Sequence, residues 1–136
     1  MRNFRKYYRR PIWDEVNKMT GMSIFDELTE VKLEIFIPPS HLTSLRQALA
    51  DLGAGRVGNY DSCCAVSEVR GYWRPLPGSS PYQGEVGQLE TGAECKVEIN
   101  CPVGLVRQAL AAIRTVHPYE EPFINIIPLV NQRFKD

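Results

Sequence analysis

The chain has 136 residues, of which 43% are hydrophobic, and this suits one compact domain with an apolar core. Sixteen basic residues balance sixteen acidic ones, so the overall charge favours neither nucleic acid nor a membrane surface as a partner. No apolar run approaches the ~18 residues that a membrane-spanning helix needs, and no apolar stretch follows the basic start as in a secretory signal. The sequence therefore predicts a soluble, cytoplasmic protein.

The first ten residues carry a cluster of positive charge without any acidic residue. Within them, Phe4–Arg10 reads FRKYYRR, which interleaves aromatic and basic residues as binders of single-stranded nucleic acid do. Short basic termini are more often solvated arms, and we favour that interpretation over nucleic-acid binding. Ile12, Val16 and Met19 then have the spacing of a short amphipathic helix. We interpret residues 1–30 as an N-terminal extension.

Two later segments resemble each other: KLEIFIPPSHLTSLRQALADLG, from Lys32, and KVEINCPVGLVRQALAAI, from Lys96. Each begins with alternating apolar and polar residues, which is typical of a strand with one buried face. Each continues with apolar residues at helical spacing. The predicted inward-facing residues are Leu33, Ile35, Ile37, Val97 and Ile99 on the strands, and Leu42, Leu45, Leu49, Leu52, Val103, Val106, Leu110 and Ile113 on the helices.

Turn-forming residues and a further strand complete each half. Ser40 is the predicted N-cap of the first helix, Gly53 is its C′ residue, and Pro102 suits the first turn of the second helix. Strand-like runs follow at about Cys64–Val69 in the first half and at Phe123–Ile127 in the second.

The order of elements is therefore β-α-β followed by β-α-β, which predicts an α+β sandwich of the ferredoxin-like type. Interleaving the two halves through right-handed crossovers gives an antiparallel sheet of strand order 4-1-3-2, with both helices on one face. This domain spans residues 31–130, and residues 131–136 form a C-terminal tail.

The topology brings three connections to one end of the sheet. They are the turn that contains His41, the long connection of about residues 71–92, and the corner His117–Pro122, which reads HPYEEP. A connection as long as the second one, without evident secondary structure, is usually functional or mobile. Its Trp73 and Arg74 supply aromatic and cationic contact groups. The sequence therefore predicts a site at this end, where both histidines of the chain meet the long loop.

The HPYEEP corner has two interpretations. Imidazole and carboxylate groups are ordinary ligands of zinc-class metals, which would make His117, Glu120 and Glu121 a metal set. However, Pro118 ends a helix and Pro122 fits the start of an edge strand. On the residues alone, we favour the structural interpretation over the metal site.

The four cysteines, Cys63, Cys64, Cys95 and Cys101, form no CxxC pair. We expect buried, reduced thiols rather than a metal or redox site. The fold also places Cys63 and Cys64 at the opposite end of the sheet from both histidines, which argues against a catalytic Cys–His pair.

Three motifs in order resemble one family. They are GAG-x-x-G-x-Y-x-x-C from Gly53 to Cys63, the aromatic-Arg-Pro segment Trp73–Pro75, and HPYEEP. Together they are similar to the YqfO-like group, which is related to the domain inserted in Nif-three-like proteins and shares a fold with CutA and PII signalling proteins. The resemblance covers about residues 32–129 and implies a standalone ferredoxin-like protomer in a homotrimer closed by sheet edges. It implies no dinuclear metal centre, because the flanking domains that carry that centre in Nif-three-like proteins are not in this sequence.

The leading hypothesis is a non-enzymatic, homotrimeric small-ligand or regulatory binding module of the CutA/PII-like type, with a protein partner left open. Its expected contacts are His117, Tyr119, Glu120, His41, Trp73 and Arg74. The second hypothesis is a CutA-like protein that binds zinc or copper through His117, Glu120 and Glu121. A hydrolase-type enzyme is the third, since no acid–base pair of recognisable geometry is evident.

Overall fold

The computed structural model describes residues 18–19, 21 and 28–135. The predictions for the basic arm, and for the helix through Ile12 and Val16, lie outside these residues. Within residues 28–135, the two echoing halves form one sheet and two α-helices.

The strands and α-helices follow one another in the order β-α-β-β-α-β along residues 28–135. In order, they are β1 (Glu30–Ile37), α1 (Leu42–Asp51), β2 (Ala65–Trp73), β3 (Glu90–Pro102), α2 (Val106–Val116) and β4 (Phe123–Pro128). Short 3-10 turns cover Pro39–His41, Val103–Leu105 and Asn131–Phe134. The strands pair antiparallel in the order β2-β3-β1-β4, which is the predicted 4-1-3-2 order read from the other edge. The ferredoxin-like fold is thus confirmed.

The face of the sheet that carries both helices forms the core. The buried apolar residues of this core come from the strands, both α-helices and the turn after α1: Val31, Leu33, Ile35, Ile37, Leu45, Leu49, Ala54, Cys95, Val97, Ile99, Cys101, Ala109 and Ile113. The predicted helix residues Leu42, Leu52, Val106 and Leu110 pack against this cluster while staying partly exposed. The prediction was wrong for Val103, which is 39% exposed because it lies in the 3-10 turn before α2.

The ends of the helices differ from prediction at two positions. Ser40 lies inside the turn Pro39–His41, and His41 precedes α1 without any side-chain cap hydrogen bond. The predicted N-cap at Ser40 was therefore wrong, because the paired prolines start a 3-10 turn first. Pro102 ends β3 and precedes a second 3-10 turn instead of lying in α2. The prediction for Gly53 is confirmed, since its φ of +99° after α1 is a conformation that glycine adopts without steric cost.

Neither α1 nor α2 covers the opposite face of the sheet. We call this side the open face, and it includes Lys32, Glu34, Phe36, Val69, Gly71, Trp73, Glu94, Lys96, Glu98, Phe123 and Asn125. Ion pairs with N···O distances of 3.4 Å link Lys32 to Glu98 and Lys96 to Glu34. Asn125 Nδ2 donates to Glu34 Oε1 at 3.0 Å, and this hydrogen bond is the main reason that the pKa of Glu34 is lowered.

The β2–β3 hairpin is longer in strand than the sequence indicated. β2 continues to Trp73 and β3 starts at Glu90, so the connection comprises residues 74–89 instead of about 71–92. Gly71 and Gly92 were assigned to the loop because glycine is uncommon in strands. In the structure they pair with each other across β2 and β3. Trp73 therefore belongs to the end of a strand and not to the loop.

All four cysteines are free, and their burial follows their place in the sheet. Cys95 and Cys101 are buried as predicted, and burial raises the pKa of both thiols. Cys63 and Cys64 are only partly buried in the segment before β2, and Cys64 packs against the core, so the prediction of burial holds in part for Cys64 and was wrong for Cys63. Among the residues that the structure describes, no helix has both the length and the apolarity to cross a membrane.

Candidate functional site

Rings from the three predicted connections meet at one end of the sheet. His41 lies edge-on to Tyr82, with ring centroids 6.1 Å apart. Tyr82 in turn lies 5.9 Å from Tyr119. The ring of Tyr119 is 4.8 Å from that of His117 and 6.4 Å from that of Trp73. The topology alone predicted that His41 and the HPYEEP corner lie at the same end of the sheet. The structure places them there, linked through the rings of Tyr82 and Tyr119.

His117 holds the corner to the end of β1. Its side chain is buried, and its Nε2 lies 2.7 Å from the carbonyl oxygen of Phe36. The backbone N–H of Tyr119 donates to Nδ1 at 3.1 Å. Because a carbonyl only accepts and a backbone N–H only donates, the ring is neutral with its proton on Nε2. Burial lowers the pKa of His117, against the opposing influence of the hydrogen bond to Phe36.

A cleft of about 700 Å³ lies between the open face, the 74–89 loop and the corner. This volume is within the range of small-molecule sites, roughly 300–1,000 Å³. The residues that line it include Phe36, Val69, Arg70, Gly71, Tyr72, Trp73, Arg74, Tyr82, Glu94, Tyr119, Glu120, Glu121 and Phe123. Four of the predicted contact residues, Trp73, Arg74, Tyr119 and Glu120, are therefore among its walls. His41 and His117 are not, and each instead contacts a tyrosine of the wall.

The aromatic walls are fixed by packing and by one hydrogen bond. The rings of Phe36 and Phe123 face each other across β1 and β4, with centroids 5.0 Å apart. The indole of Trp73 lies against Gly92 on β3, where a Cβ would be 3.2 Å from the ring. Its Nε1–H donates to the carbonyl oxygen of Gln83 at 3.1 Å, which joins the end of the strand to the loop. These contacts hold the rings in place before any ligand arrives.

Glu94 is the unusual group of the cleft. Its residue is only 8% exposed, yet among the described residues its carboxylate has neither a hydrogen bond nor an ion pair. The carboxylate lies directly over Gly71 of the neighbouring strand, where any Cβ would overlap its Oε1. Burial raises the pKa of Glu94. Burial, with the charge of Glu94 as a further cause, raises the pKa of Tyr119 to about 12, so that phenol stays neutral.

The loop that closes the cleft has several hydrogen bonds of its own and one to the corner. The backbone N–H of Gly87 donates to the carbonyl of Pro75 at 2.8 Å, and Ser79 Oγ donates to the carbonyl of Leu76 at 2.6 Å. The backbone N–H of Ser80 donates to Glu120 Oε2 at 2.8 Å. Glu120 thus uses one carboxylate oxygen to hold the loop beside the cleft.

The geometry does not support the predicted metal set. Among the described residues, no three or more His, Cys, Asp or Glu side chains lie close enough together to hold a metal ion. His117, Glu120 and Glu121 therefore do not form such a group. Both ring nitrogens of His117 are already hydrogen-bonded to the backbone, so a metal would have to displace one of those bonds.

Sequence reasoning missed three residues that define the cleft. Glu94 lies just before the segment that was recognised as a strand, so its place on the open face was not considered. Phe36 and Phe123 were treated only as strand residues, although their alternation with core residues already placed them on the other face. A register of β2 against β3 would have revealed Glu94 beside Gly71, and the sequence does not fix that register.

The comparisons with solved structures define the class of fold. The chain is similar to the divalent ion tolerance protein CutA1 from Ehrlichia chaffeensis, with a TM-score of 0.58, 17% identity and coverage of 77% of this chain and 85% of that one. It is also similar to the PII-like protein CutA from Nostoc sp. PCC 7120, with a TM-score of 0.57, 16% identity and coverage of 76% and 84%. The fold is therefore that of CutA and PII-like proteins.

The comparisons of sequence are more specific, although no family model matches the chain. The chain is 39% identical over 101 residues to a GTP cyclohydrolase 1 type 2 homolog of Halalkalibacterium halodurans, covering 74% of this chain and 27% of that protein. The homolog from Bacillus subtilis is 37% identical over 98 residues, covering 72% and 26%. A Bacillus cereus protein related to NIF3 matches in structure, with a TM-score of 0.68, 38% identity and coverage of 76% and 26%.

These matches confirm the resemblance to the domain inserted in Nif-three-like proteins. The chain is a homologue of a segment that makes up about a quarter of the length of those relatives.

Proposed function

We propose that this chain is a non-enzymatic binding module whose ligand occupies the cleft between the open face, the 74–89 loop and the HPYEEP corner. The observation that carries the proposal is the cleft itself, about 700 Å³ in volume, with aromatic walls and a buried carboxylate. Small-molecule sites combine an apolar, aromatic lining with a few polar groups in this way. Trp73 and Tyr119 provide the apolar contacts, and Arg74 and Glu120 lie among its polar groups.

Binding is favoured over catalysis because hydrogen bonds already hold the imidazole of His117 and the carboxylate of Glu120. Neither nitrogen of His117 is available, and one oxygen of Glu120 accepts a hydrogen bond from the loop. Burial is the main reason that the pKa of Tyr119 is raised to about 12, which makes its phenol a weaker acid than an ordinary tyrosine. The curated relatives are called GTP cyclohydrolase 1 type 2 homologs, but the chain spans only about a quarter of their length. We assign no cyclohydrolase activity to it.

The module is proposed to be a homotrimer in the cytoplasm. The resemblance to CutA and PII proteins implies a trimer that is closed by the edges of the sheets. The four free cysteines fit a reducing compartment. Native mass spectrometry of gently purified protein tests the assembly, and a monomer mass would contradict it.

The ligand proposal is tested by a fragment screen that is monitored through NMR amide and indole signals. We expect hits to shift the Trp73 indole N–H and the backbone amides of residues 69–74 and 119–121. Trp73→Ala should weaken binding of such fragments by about tenfold or more, because an aromatic wall is lost. Tyr60→Ala is the matched control, since Tyr60 is 76% exposed and lies outside the cleft. Hits that shift only signals elsewhere would contradict the proposal.

A further inference from the structure

Glu94 shows what kind of ligand the cleft is built to receive. Its residue is more than nine-tenths buried, it lines the cleft, and its carboxylate has no hydrogen-bond or ion-pair partner in the described chain. No side-chain oxygen of the described residues is both shut off from solvent and without a partner, so the carboxylate of Glu94 keeps some contact with water at the cleft that it lines. A carboxylate that has lost most of its hydration is stabilised when a cation pairs with it. The absence of a Cβ at Gly71 is what leaves room for it, so the neighbouring strand accommodates the carboxylate.

The cations that line the same cleft do not neutralise this carboxylate. Arg70 and Arg74 are both exposed, and neither forms an ion pair with Glu94. The nearby Lys96 is paired with Glu34 at 3.4 Å. The cleft wall also contains two further carboxylates, those of Glu120 and Glu121, so acidic side chains outnumber basic ones there.

The rings around Glu94 complement a positive charge. The faces of indole and phenol rings attract cations, and the attraction strengthens where water is excluded. Trp73 and Tyr119 lie 6.4 Å apart at the same wall, and Tyr82 lies 5.9 Å from Tyr119. A buried carboxylate flanked by aromatic rings is the arrangement that binds amines, amidines and guanidines. A neutral ligand would leave the carboxylate unpaired, and an anion would be repelled by it.

Building on the proposed function of the cleft as a ligand site, we propose that its ligand is a small organic cation. The charged nitrogen group pairs with the carboxylate of Glu94, and the apolar body packs against Trp73 and Tyr119. No bond is formed or broken in this step, which is recognition and not chemistry.

The probe for this proposal is benzamidine, with benzamide as its neutral isostere. Both have the same ring and nearly the same shape, but only benzamidine carries a positive charge. We expect benzamidine to shift the Trp73 indole signal of the intact protein in an NMR titration at pH 7.5. Benzamide should bind at least about tenfold more weakly, because it has no positive charge and carries a carbonyl acceptor where benzamidine has a second N–H donor for the carboxylate.

The variant Glu94→Gln keeps the size of the side chain and removes its charge. It should abolish the preference for benzamidine over benzamide while binding of benzamide stays within about twofold. Glu85→Gln is the matched control, because Glu85 is exposed, lies outside the cleft wall and changes the net charge equally. The control should keep the wild-type preference.

Two results would overturn the cation assignment. Equal binding of the two probes to the wild type would show that charge plays no role, although the cleft would still be a ligand site. Absence of benzamidine binding at 10 mM, roughly the weakest affinity such a fragment should have, would also reject it. The fragment screen with Trp73→Ala decides separately whether the cleft binds anything, so failure of this inference and failure of the proposed function are distinguishable.

Discussion

The two faces of the sheet are built from the same strands but serve different purposes. On the face that carries the helices, Leu33, Ile35 and Val97 have no exposed surface at all. On the open face, the residues that alternate with them are Lys32, Glu34, Phe36, Lys96 and Glu98, which are only partly buried. One face is uniform in chemistry and closely packed, whereas the other mixes charge, aromatic rings and a cleft.

The contrast between the two faces shows which residues give the fold its stability and which are available for recognition. Apolar burial supplies most of the free energy of folding, and it needs only apolar residues of suitable volume. Recognition needs particular groups at particular places, such as Glu94 over Gly71. Substitutions on the covered face should therefore change stability, and substitutions at the open-face cleft should change binding or pH dependence with smaller costs in stability.

The largest effect is expected from Leu45→Ala on the covered face. Leu45 is fully buried in α1 against the strands, so its truncation leaves a cavity. The free energy of unfolding should fall by roughly 2–5 kcal/mol, measured by urea denaturation. Ile127→Ala is the matched control on the other face, where Ile127 is 38% exposed, and it should cost less than about 1.5 kcal/mol. Similar losses for the two variants would remove the contrast between the faces.

The next effect concerns His117, which lies where the core meets the cleft. Replacing it with Gln should cost roughly 1–3 kcal/mol at pH 7.5, because a buried hydrogen bond to Phe36 or to the Tyr119 amide is lost. Urea denaturation of both proteins measures this difference.

The pH dependence of that difference has a definite sign. Burial lowers the pKa of His117 below its ordinary value of 6.5, so the unfolded chain takes up a proton first as the pH falls. The stability that neutral His117 provides is present above pH 6.5 and is lost as the pH falls below it. The gap between wild type and His117→Gln should therefore narrow from pH 7.5 to pH 5. A gap that is constant or widens would contradict a buried, neutral ring.

The fold was predictable because it depends on patterns that repeat. The alternation through Leu33, Ile35 and Ile37 and its echo at Val97 and Ile99 were enough to give strands, faces and order. The prediction that Val103 is buried was wrong because apolar residues at helical spacing do not reveal that a 3-10 turn precedes the α-helix.

The site was only half predictable, and the reason is register. Topology brings Trp73 and Tyr119 to one end whatever the details of pairing are, so both could be named. The position of Glu94 in the cleft could not be predicted, because it depends on the register of β2 against β3, which puts its carboxylate over Gly71. Side chains that act through a long-range register leave no local signal in the sequence.

A third prediction uses Glu94 to separate stability from binding. Burial raises its pKa above the ordinary value of 4.5, so the folded state prefers the protonated carboxyl. The associated stability is present below pH 4.5 and is lost as the pH rises through the raised pKa of the folded state. At pH 7.5 the unliganded Glu94→Gln protein should therefore be more stable than wild type and have the higher melting temperature.

Thermal denaturation at pH 7.5 and pH 4 checks this, with Glu85→Gln as the exposed control. The advantage of Glu94→Gln should shrink at the lower pH, whereas the control should stay within about 0.5 kcal/mol of wild type at pH 7.5. A destabilised Glu94→Gln protein at pH 7.5 would mean that the carboxylate has a stabilising partner in solution.

The smallest change in stability is expected from Glu120→Ala, because the hydrogen bond that it removes is exposed. Its Oε2 accepts the backbone N–H of Ser80 at 2.8 Å, and it is the contact that joins the 74–89 loop to the corner by a side-chain hydrogen bond. Global stability should fall by about 0.5 kcal/mol or less, but the loop should open more often. Hydrogen exchange of the loop amides should accelerate severalfold while exchange in β1 and β3 stays unchanged.

Glu121→Ala is the control, since Glu121 lines the same cleft without a hydrogen bond to the loop among the described residues. If both variants left the loop amides as protected as in wild type, the hydrogen bond of Glu120 would not be what holds the loop. The position of the loop would then depend on the hydrogen bond from Trp73, at the end of β2, to Gln83.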